Sequence, residues 1–108
     1  MSFSVAITYY FKKQAKHLLK KYPSLKIEMA ELITSLEKTP DQGMPIGNNC
    51  YKIRLSVASK NKGKSGGARV IINVHFSNEQ VYMLSIYDKS EQDNISDKEL
   101  NELLKNIP

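Results

Sequence analysis

Cationic side chains alternate with apolar ones along two strand-like segments of the sequence, and a third such segment leads to a tyrosine and a lysine. Side chains two residues apart on a strand project to the same side of a sheet. If the apolar positions face a core, the opposite face collects a basic set: Lys52, Arg54, Arg69, Tyr87 and Lys89. Arginine makes two-point contacts with phosphate oxygens, and lysine supplies point charges. Such a cluster would stabilise a phosphorane-like transition state, and a Tyr or Lys whose pKa the neighbouring cations lower would move a proton.

Alternation by itself leaves a second interpretation open. Polar residues point outward on any half-exposed sheet, and strand lysines and arginines often only prevent edge-to-edge aggregation. The same ambiguity applies to the stretch between the two basic strands, which has three glycines, no acid, and the lysines Lys60, Lys62 and Lys64. It either binds a polyanion such as RNA or is an ordinary hairpin loop. Gly63-Lys64-Ser65 mimics the end of a phosphate-binding P-loop, but Ala58 stands at the first glycine and the stretch joins two strands, which excludes that motif.

Charge is segregated along the chain. The 108 residues carry 16 Lys and Arg and 11 Asp and Glu, a net charge of +5. Residues 12–69 hold thirteen of the basic residues and only four acids, whereas residues 79–108 hold seven acids and three lysines. A strongly positive sector attracts polyanions, of which nucleic acid is the commonest, although a solvated helix face with a basic loop would give the same count.

Length and composition exclude several classes of protein. A chain of 108 residues is expected to form one domain, 1–108. No apolar run approaches the roughly 20 residues that span a bilayer, and the first lysines follow the short apolar start, the reverse of a secretory signal. The lone cysteine, Cys50, excludes an internal disulfide, fits a reducing cytoplasm, and leaves too few N and S ligands for a structural zinc site.

The hydrophobic pattern predicts an α+β fold, with two N-terminal helices packed on one face of an antiparallel-rich sheet and a short helix at the C-terminus. Period-2 alternation places one apolar set against those helices, including Tyr82, Leu84 and Ile86 on the last strand. The C-terminal helix is predicted to be capped by Ser96 together with Glu99. The predicted elements are a strand at Phe3–Ile7, helices at 9–21 and from Pro23 to Thr39, a loop at Asp41–Asn49, strands at 51–57, 69–76 and 82–87 with a hairpin at 77–80, and a helix at 97–106.

The order of motifs between residues 51 and 91 is distinctive. It runs from Tyr51-Lys52-Ile53-Arg54-Leu55 through the lysine-rich stretch to Gly66-Gly67-Ala68-Arg69-Val70-Ile71, and then to Leu84-Ser85-Ile86-Tyr87-Asp88-Lys89-Ser90-Glu91. This order resembles the RelE/ParE superfamily of bacterial type II toxins, and within it the HigB-like branch. The helical hairpin broken at Tyr22-Pro23-Ser24 fits the same family, so the resemblance extends over nearly the whole chain.

The resemblance implies a small toxin that enters the ribosomal A site and cleaves mRNA there, without metal or other cofactor, because the 2′-OH of the substrate attacks the adjacent phosphate. It implies that Arg69 and Lys89 stabilise the phosphate and transition state, while Lys52 and Arg54 position the RNA or assist proton transfer. Toxins of this kind carry a tyrosine after the last strand; this chain has no aromatic residue beyond Tyr87, which is the candidate for that place. The resemblance also implies a cognate antitoxin that holds the toxin inactive, and a cytoplasmic location.

Two other functions stay open at this stage. One is a ParE-like inhibitor of gyrase, which would poison a protein target without RNA chemistry. The other is a catalytically decayed module that only binds nucleic acid or a partner. The sequence also leaves open whether the acidic stretch Glu91–Glu102 folds back on the chain's own basic face.

Overall fold

The computed structural model describes residues 2–60 and 66–107, which form a five-stranded sheet and three α-helices. The strands lie in the order β1-β5-β4-β3-β2. The α+β class that the sequence predicts is confirmed. In chain order the elements are β1 (Ser4–Ile7), α1 (Tyr9–Lys21), α2 (Leu25–Lys38), β2 (Met44–Gly47), β3 (Cys50–Leu55), β4 (Ala68–His75), β5 (Gln80–Asp88) and α3 (Asp97–Leu104).

The sheet is mixed, because β1 runs parallel to β5 while the other three pairings are antiparallel. Thr8 joins β1 to α1 and fixes both elements on β5. Its hydroxyl donates to the Met83 carbonyl at 2.9 Å and accepts from the Phe11 amide at 3.3 Å, which caps the start of α1. No helix in residues 2–60 and 66–107 is both long and apolar enough to cross a membrane.

The main core lies between the sheet and the first two helices. Phe11 and Leu18 of α1 and Leu25 and Leu36 of α2 are buried in it. The sheet contributes buried side chains from its three central strands: Ile53, Val70, Ile72, Val74, Val81, Met83 and Ile86. The helical spacing of the apolar residues in α1 and α2 therefore matches the face that packs on the sheet.

A β-bulge makes one part of the predicted alternation wrong. Ile71 pairs with Ser85 and Ile72 pairs with Met83, so Leu84 is an extra residue on β5. Beyond this bulge the faces of β5 exchange. Met83 packs against the helices, whereas Leu84 and Tyr82 point to the opposite side; Ile86 faces the helices as predicted.

A second apolar cluster covers part of the opposite side of the sheet, which we call the outer face. Leu100 and Leu103 of α3 pack there on Ile71, Leu84 and Tyr87. The predicted capping box at the start of α3 is present, since the Ser96 hydroxyl accepts from the Glu99 amide at 3.1 Å and Glu99 reaches back to the Ser96 amide. The outer face is therefore not wholly open to solvent.

The segment predicted as a loop at 41–49 contains the edge strand β2. Pro45 is compatible with this position because an edge strand needs no ladder hydrogen bond on its outer side. The β2–β3 turn is formed by Asn48 and Asn49, whose φ values of 55° and 58° fit a two-residue hairpin turn. The turn-forming residues were correctly identified in the sequence, but the four-residue strand beside them was missed.

Candidate functional site

Three of the predicted site residues form a row across the outer face. Arg54 on β3 is the direct cross-strand neighbour of Arg69 on β4, which in turn is the neighbour of Tyr87 on β5. Directly opposed side chains on neighbouring strands are about 5 Å apart at their Cβ atoms, so the two arginines repel each other. The sheet thus holds two like charges side by side, an arrangement that a bound anion would stabilise.

Exposure differs sharply along this row. Arg54 is exposed, but Arg69 keeps only 3% of its surface and Tyr87 only 5%. The expectation of a uniformly open basic surface is therefore wrong for these two residues. The Arg69 guanidinium donates to the carbonyl of Ala68 at 3.0 Å. Burial lowers the pKa of Arg69, and the positive charge of Arg54 lowers it further.

The Tyr87 hydroxyl is buried and has no hydrogen-bond partner among the described residues. Burial raises the pKa of this phenol, and the opposing effect of Arg69 is smaller. The sequence-based idea that neighbouring cations lower the pKa of a tyrosine here is thus wrong for Tyr87. A phenol with a raised pKa is protonated at neutral pH, so it is a hydrogen-bond or proton donor rather than a base.

The other two predicted residues, Lys52 and Lys89, contact the acidic turn, residues 91–94. The Lys52 ammonium donates to the Asn94 side-chain oxygen at 3.3 Å, and Lys89 forms an ion pair with Asp93. The side chain of Lys89 keeps 28% of its surface. The acidic stretch therefore does fold back on the chain's own basic residues.

Lys60 occupies a position that the sequence did not suggest. Its ammonium forms an ion pair with Asp88, and both side chains are almost fully buried, at 5% and 1% exposure. The expectation of a solvent-facing loop lysine is thus wrong for Lys60. Lys62 and Lys64, predicted with it as RNA contacts, lie outside the described residues.

Asp88 is a residue next to the candidate site that sequence reasoning missed. Besides Lys60, its carboxylate accepts from the Tyr22 hydroxyl at 2.7 Å and from the Ser90 amide and hydroxyl at 2.9 and 2.7 Å. Burial alone would raise the pKa of Asp88, but these hydrogen bonds outweigh it and hold the pKa well below its ordinary value. The only feature of the sequence that could have pointed to Asp88 is that this acidic residue directly follows the predicted apolar strand 82–87.

The arrangement is suited to binding an anion rather than to holding a metal. Arg54 is exposed beside the buried Arg69 and can donate to a phosphate, whereas the ammonium groups of Lys52 and Lys89 contact the acidic turn. Within the described part of the chain, no three His, Cys, Asp or Glu side chains are grouped so as to hold a metal ion.

Comparison with known proteins assigns the family. A sequence search against curated proteins finds no match. The fold is similar to that of E. coli RelE: a doubly substituted mutant in the free state has a TM-score of 0.62 at 15% identity, with both chains fully covered. The isolated E. coli RelE toxin has a TM-score of 0.58 at 14% identity, over 98% of this chain and 100% of that one. The family model for the RelE toxin of the RelE/RelB toxin–antitoxin system matches residues 8–107, and the chain therefore belongs to the RelE family.

Proposed function

We propose that this protein is a ribosome-dependent endoribonuclease, a toxin that stops translation by cleaving mRNA in the ribosomal A site. Membership of the RelE family supports a type II toxin with an antitoxin partner. The finer assignment, to RNA cleavage, is supported chiefly by the Arg54–Arg69 pair. Arg54 is exposed and lies next to the buried Arg69 on the outer face, so a phosphate group can reach this pair of guanidinium groups through Arg54.

In the proposed reaction the 2′-OH of the RNA loses its proton and attacks the adjacent phosphorus, the P–O5′ bond breaks, and the 5′-oxygen leaves with a proton, so that a 2′,3′-cyclic phosphate remains. The protein stabilises the extra negative charge of the transition state. Arg54 is exposed and would contact the phosphate oxygens directly. Arg69 lies beside it on the neighbouring strand and is buried, and in a region of low dielectric its charge acts more strongly than it would in water. Lys52 and Lys89 would contact the RNA backbone on either side of the cleaved phosphate, once their ammonium groups release the acidic turn.

Tyr87 is the proposed proton donor or base-stacking group. Its phenol is protonated at neutral pH and lies next to Arg69 in the row. Because α3 packs on Tyr87, this role requires that α3 move away when RNA binds. Lys62 and Lys64 remain proposed RNA contacts by virtue of their charge. The proposed site of action is the cytoplasm, where ribosomes and mRNA are found, and the proposed relatives are the HigB-like toxins.

The proposal is tested with purified protein, programmed ribosomes and a 5′-labelled mRNA. We expect the wild-type protein to cleave the mRNA in the A site without added metal beyond what the ribosome needs. Arg54→Ala and Lys89→Ala should each lower the cleavage rate about 100-fold, the typical cost of removing one donor to a developing charge. Lys26→Ala, which removes an exposed lysine of α2, is the matched control for net charge and should cleave normally.

Arg69 is not the first choice for substitution because it is nearly buried, so its loss would also disturb packing. Two results would overturn the proposal. One is a wild-type protein that arrests growth and induces the DNA-damage response without cleaving mRNA, which would indicate a gyrase inhibitor. The other is a folded Arg54→Ala/Lys89→Ala protein that cleaves mRNA as fast as the wild type.

A further inference from the structure

We propose that the acidic turn, residues 91–94, is a built-in competitor of RNA, which occupies Lys52 and Lys89 on the outer face until phosphate groups displace it. The inference deepens the proposed function and rests on it in one respect, namely that the outer face binds RNA. Asp93 supplies a carboxylate and Asn94 an amide oxygen, and these take the place of phosphate oxygens at the two lysines. The turn thus acts as a strap that lowers the affinity of the protein for RNA.

The two lysines that the turn contacts lie on opposite sides of the row formed by Arg54, Arg69 and Tyr87. The strands β3 and β5 run in the same direction, because each is antiparallel to β4. Lys52 precedes Arg54 by two residues and Lys89 follows Tyr87 by two residues, so both alternate onto the outer face. Consecutive residues of the turn therefore reach across the row, where the proposed function places the phosphate of the RNA.

The base of the turn is anchored in the backbone, whereas its tip is held by side chains. The carbonyl of Asp88 accepts from the amides of Glu91 and Gln92, both at 3.0 Å. At the tip, the side chain of Asp93 keeps 87% of its surface, and its ion pair is with the ammonium of Lys89. A fixed base with a solvent-exposed tip allows the strap to open while β5 stays paired with β4.

Exposure determines which lysine can exchange an internal partner for a phosphate. The ion pair of Lys60 and Asp88 is almost fully buried, so breaking it would leave two unpaired charges inside the protein, which is strongly unfavourable. The carboxylate of the Lys89–Asp93 pair is exposed, and exposed pairs shift an equilibrium only about two- to fivefold. A phosphodiester carries the same single charge and can also accept from Arg54, so it can displace the carboxylate of Asp93.

The test measures binding of a short, fluorescein-labelled, single-stranded 2′-O-methyl RNA, which has no free 2′-OH and is therefore not cleaved. Fluorescence anisotropy at about 50 mM salt gives the Kd for the full chain. Asp93→Asn keeps the size of the side chain but removes its charge, and we expect it to lower the Kd about two- to fivefold. Asn94→Ala removes the acceptor for Lys52 without changing the net charge, and it should lower the Kd about twofold.

Two controls separate competition at the lysines from a general effect of charge. Glu91→Gln removes one negative charge from the same turn, but its ion pair is with Lys21 of α1, so the Kd should change less than about 1.5-fold. In a Lys89→Ala background, Asp93→Asn should leave the Kd unchanged, because the ammonium that it would release is missing. The side chains substituted in the turn are all exposed, so these variants are expected to fold.

The inference is overturned if Asp93→Asn and Glu91→Gln lower the Kd equally, since net charge would then explain both results. It is also overturned if the gain in affinity persists without Lys89, or if neither the wild type nor any variant binds the RNA. The proposed function is decided separately, by cleavage of mRNA on the ribosome. Variants that bind RNA as expected, together with a wild type that cleaves no mRNA, would refute the proposed function and leave the strap in place.

Discussion

Substitution of Leu103 provides the sharpest test of whether α3 can detach from the outer face while the rest of the protein stays folded. Its side chain is 6% exposed and packs with Leu100 on Ile71, Leu84 and Tyr87. We predict that Leu103→Ala loosens α3 without unfolding the main core, since none of the side chains in that core belongs to α3. The phenol of Tyr87 should then become accessible, and its raised pKa should fall toward the ordinary value for tyrosine.

The expected magnitude follows from the packing. Two buried leucines contribute about 1.5–3 kcal/mol each to docking, and an isolated eight-residue helix is not stable in water. A Leu→Ala change in a core costs about 2–5 kcal/mol, with the lower values where the site can collapse, as a terminal helix can. We therefore expect a loss of about 2–3 kcal/mol, which corresponds to an opening equilibrium roughly 30 to 150 times larger.

Hydrogen exchange at the amides of α3 measures this opening directly. Tyrosinate absorbance measures the pKa of Tyr87, and the Tyr87→Phe variant identifies which part of the absorbance comes from Tyr87. Ile27→Ala, at an α2 position that is 66% exposed, is the control and should change stability by less than about 0.5 kcal/mol. The reasoning is refuted if α3 amides keep their protection in Leu103→Ala. It is also refuted if the β4 amides lose as much protection as α3, since α3 would then not open separately.

Two further predictions concern the stability of the fold. The pKa of Asp88 is lower in the folded than in the unfolded protein, so its contribution to stability is complete above the unfolded pKa of about 4 and is lost as the pH falls below it. The difference in urea midpoint between wild type and Asp88→Asn should accordingly shrink from pH 7 to pH 3; a constant difference would contradict this. Gly43→Ala should lower the melting temperature more than Gly47→Ala, although both have positive φ, because only at Gly43 would a Cβ meet a backbone oxygen, that of Lys52, at 2.6 Å. Equal losses would contradict the predicted clash.

Regular alternation was sufficient to predict the faces of β3 and β4. Arg54 and Arg69 share the outer face as predicted, because β3 and β4 pair without a register shift. On β5 the same rule failed at Leu84. Both faces of this strand are buried, one under α1 and α2 and the other under α3, so hydrophobicity does not distinguish them and does not mark the bulge.

The buried charges were beyond sequence reasoning for a different physical reason. A lysine in a glycine-rich stretch is normally solvated, and only the tertiary structure brings Lys60 to Asp88, 28 residues away. The direction of β1 was likewise not encoded locally, since its partner lies at the other end of the chain. Local patterns thus predicted the helices and strands and, on most strands, which side chains face the core. Contacts between distant segments determined which lysines form buried ion pairs and which stay exposed.

The central claim is that RNA binds to the outer face at Arg54, rather than to the lysines along α1. The most direct measurement is an NMR titration of the isotope-labelled protein with a short RNA that carries a 2′-deoxy group at the cleavage position. We predict that the largest amide shifts fall at Lys52, Arg54 and Lys89. Shifts confined to α1, around its exposed residues Lys12 and Lys16, with the outer face unperturbed, would contradict the account.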